Sequence, residues 1–210
     1  MNLTEMKAVL RRDLRDEDAG NYRWSDDELG RHIARAVREF SEQVPLEQKT
    51  TKATAAGSRE LDISTVSDRV MVAAVEYPAG RFPPFFQQFS LWGDTLTLLG
   101  DEVPDGSDAV IYYGKLHTLD GEGSTIPSYL DDLVATGAAG YAAVAWAVYA
   151  VNRVNVGGGG TPEDLLAWGQ RKLDYFLKEL KRLGRRHRVR VSSLYNPYRA
   201  VVSKLTDGGP

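Results

Sequence analysis

The sequence predicts an α+β protein: a mainly helical bundle of about four helices, with an inserted small antiparallel β domain and an extended C-terminal tail. Three observations lead to this class. Apolar residues recur at helical spacing near both ends, strand-like alternation fills the middle, and a glycine-rich break precedes the final helix. The expected segments are a helical pair over 1–47, a β insertion over 48–125, a helical pair over 126–184 and a basic tail over 185–210.

The first helical pair is marked by capping signals. We expect the first helix to run from Thr4, as its cap, to about Asp16. The second begins at "SDDE", where Ser25 precedes Glu28 by three residues in the pattern of a capping box. Pro45 stops this helix, whose apolar stripe at helical spacing is predicted to face the core: Leu29, Ile33, Val37 and Phe40.

The middle of the chain changes to a strand pattern. Short β-rich segments separated by turn residues predict a small antiparallel sheet or sandwich: "RELDIS", "RVMVAAVEY", "DTLTLL" and "DAVIYYGKLH". The segment "PAGRFPPFF" has three prolines and is therefore expected in a loop or at a sheet edge.

A third helix is expected after Pro127, with Ser128 and Asp131 as a second capping box, and is predicted to extend to about Asn152. It contains an uncharged stretch, Leu133–Val151, whose helical length of about 28 Å is close to the ~30 Å of a membrane core. Its many alanines and glycines insert weakly, so the stretch favours a buried helix over a membrane span. Residues expected to pack in the core or against a neighbouring subunit are Gly137, Tyr141, Ala142, Ala145 and Trp146.

The fourth helix is predicted to follow "NVGGGG", with Thr161 as cap and Pro162 in its first turn, and to end at Gly184. Beyond it lies the basic segment "RRHRVR". Residues 1–150 carry 24 acidic and 14 basic side chains, whereas residues 151–210 carry 5 acidic and 12 basic ones. Such polarity indicates a basic end that contacts an acidic surface, either nucleic acid or protein. The expected partner-binding residues are Arg185, Arg186, Arg188, Arg190, Tyr195 and Tyr198.

Residues typical of catalytic or metal sites are sparse. The chain has no cysteine, and His32, His117 and His187 lie far apart without metal-ligand spacing. The stretch "GGGGTPEDL" lacks the lysine of a phosphate-binding loop and places carboxylates where a phosphate would bind. We therefore expect a protein that is not an enzyme and needs no metal or cofactor.

Three segments in order resemble the head–tail connector (adaptor) proteins of tailed bacteriophages, in particular siphophage-like ones. They are "YRWSDDELGRHIARAVREFSEQVP", "VMVAAVEYPAGRFPPFFQQFSLWGDTLTLL" and "IPSYLDDLVATGAAGYAAVAWAVYA", and the similarity spans roughly residues 5–185. The resemblance implies a structural subunit of a homo-oligomeric ring, with a dodecamer expected, beneath the portal protein. It further implies an extended DNA channel, docking of a tail or head-completion protein, and DNA that passes without sequence recognition.

The resemblance also implies a location at the head–tail interface of the virion, and in the host cytoplasm during assembly, with no membrane contact. The basic tail is expected to contact the portal or a neighbouring subunit. The residues leave one alternative open: a nucleic-acid-binding or regulatory module. In that case the arginines of the tail would contact phosphates while Tyr195 and Tyr198 stack on bases.

Overall fold

A computed structural model describes residues 1–150 and 161–195; Tyr198 and the expected end of the third helix at Asn152 lie outside the described residues. Helix accounts for 45% and strand for 21% of the described chain, which is therefore a mixed α+β protein with four α-helices and two small antiparallel sheets. The chain divides into two compact units. The helical unit comprises Met1–Leu46 and Leu116–Gly184, and the β unit comprises Glu47–Lys115 with the described residues from Arg185 to Tyr195.

The first two helices of the helical unit are α1 (Leu3–Asp13) and α2 (Asp26–Gln43). The predicted capping box of α2 is confirmed: the Ser25 hydroxyl accepts the Glu28 N–H at 3.2 Å, and the Glu28 carboxylate accepts the Ser25 N–H at 2.8 Å. Its predicted apolar stripe is also confirmed, since all four of its members are buried.

The predicted bounds of α1 are wrong at both ends. Its cap is Asn2 rather than Thr4, because the Asn2 side chain accepts the Glu5 N–H at 2.9 Å and Glu5 completes a capping box. The helix ends at Asp13, and Asp16 instead turns back to bind Arg11. An asparagine is as good a cap as a threonine, so the choice depended on which of the two had a glutamate three residues later.

The third helix, α3 (Asp131–Ala150), follows a 3₁₀ turn over Ser128–Leu130. The cap position of that turn is Pro127, which has no side-chain cap, so the capping box predicted at Ser128 is wrong. The helical core combines residues of all four helices with Trp24 of the segment before α2; its helical members include Met6, Leu10, Phe40, Val134, Ala138, Phe176 and Leu180.

The fourth helix, α4 (Pro162–Ser193), begins as predicted, with Thr161 and Asp164 forming a capping box. It does not end at Gly184. A Cβ on Gly184 would lie 2.5 Å from the side-chain oxygen of Gln43, so this glycine permits close packing against α2 rather than terminating the helix. The expected extended tail from Arg185, with its strand-like alternation at Arg188–Val191, is therefore wrong over residues 185–193, which are helical.

The β unit contains two antiparallel sheets. Its strands are β1 (Leu46–Ala53), β2 (Glu60–Asp62), β3 (Arg69–Glu76), β4 (Phe86–Gln87), β5 (Phe89–Trp92), β6 (Thr95–Leu98) and β7 (Asp108–Lys115). The sheet orders are β1-β7-β3-β4 and β2-β6-β5, and one apolar core holds residues from both sheets, among them Leu61, Val75, Leu96, Leu98 and Ile111.

The sequence predicted the proline-rich loop of the β unit correctly but placed the end of the β unit too late in the chain. The proline-rich segment forms a loop that leads into the edge strand β4, as its composition predicts. The strands end at Lys115, whereas the sequence placed the end of the insertion at 125. Residues after Lys115 pack in the helical unit: the His117 N–H donates to Ser41 at 2.9 Å, and Asp120 accepts the Leu3 N–H at 2.8 Å.

Candidate interaction surfaces

Glycines of α3 allow close contact with α4. A Cβ on Gly137 would lie 2.7 Å from the ring of Phe176, which is fully buried. A Cβ on Gly140 would lie 3.1 Å from the carbonyl oxygen of Gly169, so two glycines face each other where the helices approach. Gly137 is therefore a packing residue within the helical unit.

Ala142 and Trp146 contact the segment that precedes α2. Ala142 is fully buried, and its carbonyl oxygen accepts the indole N–H of Trp24 at 3.2 Å. The rings of Trp24 and Trp146 lie 6.0 Å apart, and the Arg23 guanidinium lies 5.5 Å from the Trp146 ring centroid. These two predicted packing residues thus stabilise the fold of one chain.

Tyr141 lies against the charged face of α2. Its hydroxyl donates to the Glu39 carboxylate, and the Arg35 guanidinium lies 3.8 Å from the ring centroid, in a cation–π arrangement. Burial, reinforced by the bond to Glu39, raises the pKa of Tyr141 to about 12. The phenol is therefore neutral at physiological pH and acts as a hydrogen-bond donor.

One face near the end of α3 is exposed. Ala145 and Val148, three residues apart on that face, are both exposed, unlike the buried Tyr141 and Ala142. Ser128–Ala150 is long and apolar enough to cross a membrane, the one such helical stretch in the described residues, but 61% of its most apolar window is buried. Of the five predicted packing residues, Ala145 is thus the one available to a neighbouring subunit.

The predicted basic residues lie on two sides of the last turns of α4. Arg185, Arg186 and Arg188 are exposed and form no ion pair with any residue that the structure describes. Arg190 and His187 instead bind Glu47 of β1, at 3.1 Å each. Burial, with a smaller contribution from Arg188, lowers the pKa of His187.

The Tyr195 side chain packs against β3 and β4. Its hydroxyl donates to the Ala73 carbonyl at 3.4 Å, and its ring meets that of Phe86 edge-on, with 6.2 Å between centroids. Burial raises the pKa of this half-buried phenol. The ring already packs against a protein aromatic, which argues against the base-stacking role that the sequence suggested.

Sequence reasoning missed a buried ion pair. Arg11 donates to Asp16 at 2.8 Å and to Asp26 at 2.7 Å, and its guanidinium lies 3.5 Å from the centroid of the Tyr22 ring. The hydrogen bond from Arg11 lowers the pKa of the Asp26 carboxyl. One signal could have found it: Arg11 directly follows the apolar Leu10, which is buried, and thus sits at the edge of the buried face of α1.

The described residues contain no group of three or more histidine, aspartate or glutamate side chains that could hold a metal ion. His117 is buried: its Nδ1 lies 3.0 Å from the Thr125 carbonyl oxygen and its Nε2 3.0 Å from that of Val44. His32 is buried as well, and burial lowers the pKa of both imidazoles. Both histidines are therefore core groups.

Comparison with known proteins adds no relative: no protein-family model matches the sequence, and no curated protein matches it either.

Proposed function

We propose that this protein is a structural subunit of a phage head–tail adaptor, which forms a ring under the portal and extends the DNA channel. In this proposal the four helices act as the bundle that forms the body of the ring. The β unit presents contacts to neighbouring copies or to a tail or head-completion protein. The proposal combines the sequence resemblance with the surfaces described above.

Exposed aromatic side chains are the observation that carries the proposal. Phe82, Trp92 and Tyr129 are 93%, 89% and 81% exposed. Burying one such side chain stabilises a complex by about 1.5–3 kcal/mol. A subunit that buries these rings against other subunits gains that free energy, whereas an isolated monomer does not.

The exposed face of α3 offers a test in a matched pair of variants. Ala145→Glu places a charge on an exposed position, so we expect a wild-type far-UV circular dichroism spectrum and a loss of the ring. Ala142→Glu buries a charge in the core and is expected to unfold the helical unit. Mass photometry and negative-stain images of each protein measure assembly. A folded Ala145→Glu variant that forms normal rings would remove α3 from the interface, and a wild type that never assembles, alone or with its portal, would refute the proposed function.

A nucleic-acid-binding module is the second candidate, favoured by three exposed arginines near the end of α4. Phosphate contacts make binding fall steeply with added salt. Fluorescence anisotropy with a DNA duplex at increasing salt tests this function. Deleting residues 185–210 would also remove the contacts of Arg190 with Glu47 and of Tyr195 with Ala73, so it does not test DNA binding alone.

A further inference from the structure

An acidic loop joins β6 to β7 in the β unit. We define it as residues 99–105, "LGDEVPD", in which Asp101 and Glu102 are exposed and make no ion pair with a described residue. Leu99 and Val103 flank these carboxylates and are 54% and 52% exposed. The loop therefore presents two carboxylates that make no ion pair with a described residue, between two exposed aliphatic side chains. The Arg59 guanidinium donates to the backbone carbonyl oxygens of Gly100 and Asp101 in the same loop and helps to fix it.

This loop is held in place by hydrogen bonds. The Pro104 carbonyl accepts the Gly57 N–H at 2.8 Å, and Tyr77 and Asp105 exchange two bonds, at 2.8 and 2.9 Å. Bonds from Ser107, together with the one from Tyr77, lower the pKa of Asp105 to about 2. A loop anchored in this way loses little conformational freedom when it binds a partner.

The opposite charge is found on the last turns of α4. At 100° per residue, Arg185, Arg186 and Arg188 lie within an arc of about 160° on the helix surface. We call these three arginines, with Val189 between them, the basic arc. Val189 is 68% exposed, and the bonds of His187 and Arg190 to Glu47 hold the helix from outside the arc. The basic arc is thus also a fixed surface of unpaired charge around an exposed aliphatic side chain.

We infer that the basic arc of one copy of this chain binds the acidic loop of the next copy, an inference that rests on the proposed ring. Charge and apolar character match on the two surfaces: free arginines against free carboxylates, and Val189 against Leu99 and Val103. A second copy fits better than DNA, because a phosphate backbone offers no apolar partner for Val189. Since the two surfaces differ, the contact is head-to-tail, the type that closes a ring.

Charge reversal on either surface tests the contact. The loop-reversed variant is Asp101→Lys/Glu102→Lys, and the arc-reversed variant is Arg185→Glu/Arg188→Glu. Each variant alone would bring like charges together, so its dissociation constant should rise about 100-fold or more relative to wild type. An equimolar mixture should assemble, because every contact between unlike variants again joins opposite charges. One chain with all four substitutions should assemble as well.

Sedimentation velocity at low and high salt measures the oligomeric state, and circular dichroism verifies that each variant is folded. Glu17→Lys/Glu122→Lys is the matched control for the loop-reversed variant, since it makes the same charge change at exposed positions of the helical unit and should leave assembly unchanged.

Three outcomes overturn the inference. If neither reversal changes an assembled wild type, or if the mixture fails to restore assembly, this contact is absent while the proposed ring remains. If the wild type stays monomeric at every concentration, the contact and the proposed ring both fail. If the arc-reversed variant loses binding to a DNA duplex yet assembles normally, the arginines bind nucleic acid and not a second copy of the chain.

Discussion

Replacing Gly137 by alanine isolates the packing between α3 and α4. In a helix interior, alanine is more favourable than glycine by about 0.5–1 kcal/mol. The new Cβ would, however, lie 2.7 Å from Cδ1 and 2.8 Å from two further atoms of the Phe176 ring. That ring is fully buried, so the ring or the helix must shift, and overpacking of this kind costs about 1–3 kcal/mol. We therefore expect Gly137→Ala to destabilise the helical unit.

Gly30→Ala is the matched control. Gly30 lies inside α2, and the nearest heavy atom to its added Cβ is the Lys7 Cε at 3.8 Å, an ordinary contact. The propensity gain is common to both variants, so the difference between their free energies of unfolding measures the steric cost alone. We expect Gly30→Ala to be the more stable variant by about 1–3 kcal/mol.

Urea denaturation, monitored by circular dichroism at 222 nm, measures the free energy of unfolding of both variants, because the signal at this wavelength comes mainly from the helices. In the double variant Gly137→Ala/Phe176→Leu the ring is gone, so the two substitutions should cost less together than the sum of their separate costs. The reasoning is refuted if Gly137→Ala is as stable as Gly30→Ala, or if the two costs in the double variant are additive.

Two further predictions concern buried polar groups. Trp24→Phe removes the donor to the Ala142 carbonyl and should lower the free energy of unfolding by about 1–3 kcal/mol. Trp92→Phe is the control, because a substitution at this exposed position should change the free energy of unfolding little. Thermal unfolding compares the two variants. Burial lowers the pKa values of His32 and His117 below the usual 6.5 of the unfolded chain, so the unfolded state binds more protons below about pH 6.5. Stability should then be constant above about pH 7 and fall toward pH 5 by at most about 1.4 kcal/mol per pH unit for each histidine, and an unchanged urea midpoint over that range would contradict this account.

Local patterns predicted those elements whose signals lie close together in sequence. The capping box of Ser25 and Glu28 and the stripe of α2 involve residues three or four positions apart, and both are confirmed. The alternation of the middle segment predicted strands and an antiparallel sheet for the same reason. The strand order β1-β7-β3-β4 was not predictable, because it brings together strands that are distant in sequence.

The errors share one physical cause: contacts between distant residues override local signals. Gly184 is a residue type typical of helix C-termini, but it packs closely against Gln43, 141 positions earlier, and α4 continues past it. Because apolar residues occupy all sides of α3, its sequence does not show which side faces the rest of its own chain. The bonds of Trp24 and the packing of Phe176 decide that Ala142 is buried and Ala145 is not.

The helical continuation of α4 changes the meaning of the charge asymmetry. From the sequence, an acidic body was opposed to an extended basic tail, which indicated contact with an acidic surface of nucleic acid or protein. In the structure, Arg185–Tyr195 belongs to the β unit, and that unit also carries the exposed carboxylates Asp101 and Glu102. Opposite charges therefore lie on two hydrogen-bonded surfaces of one unit. Because surfaces of opposite charge on one unit favour head-to-tail association with a second copy, we propose that the charge asymmetry serves self-assembly rather than capture of nucleic acid.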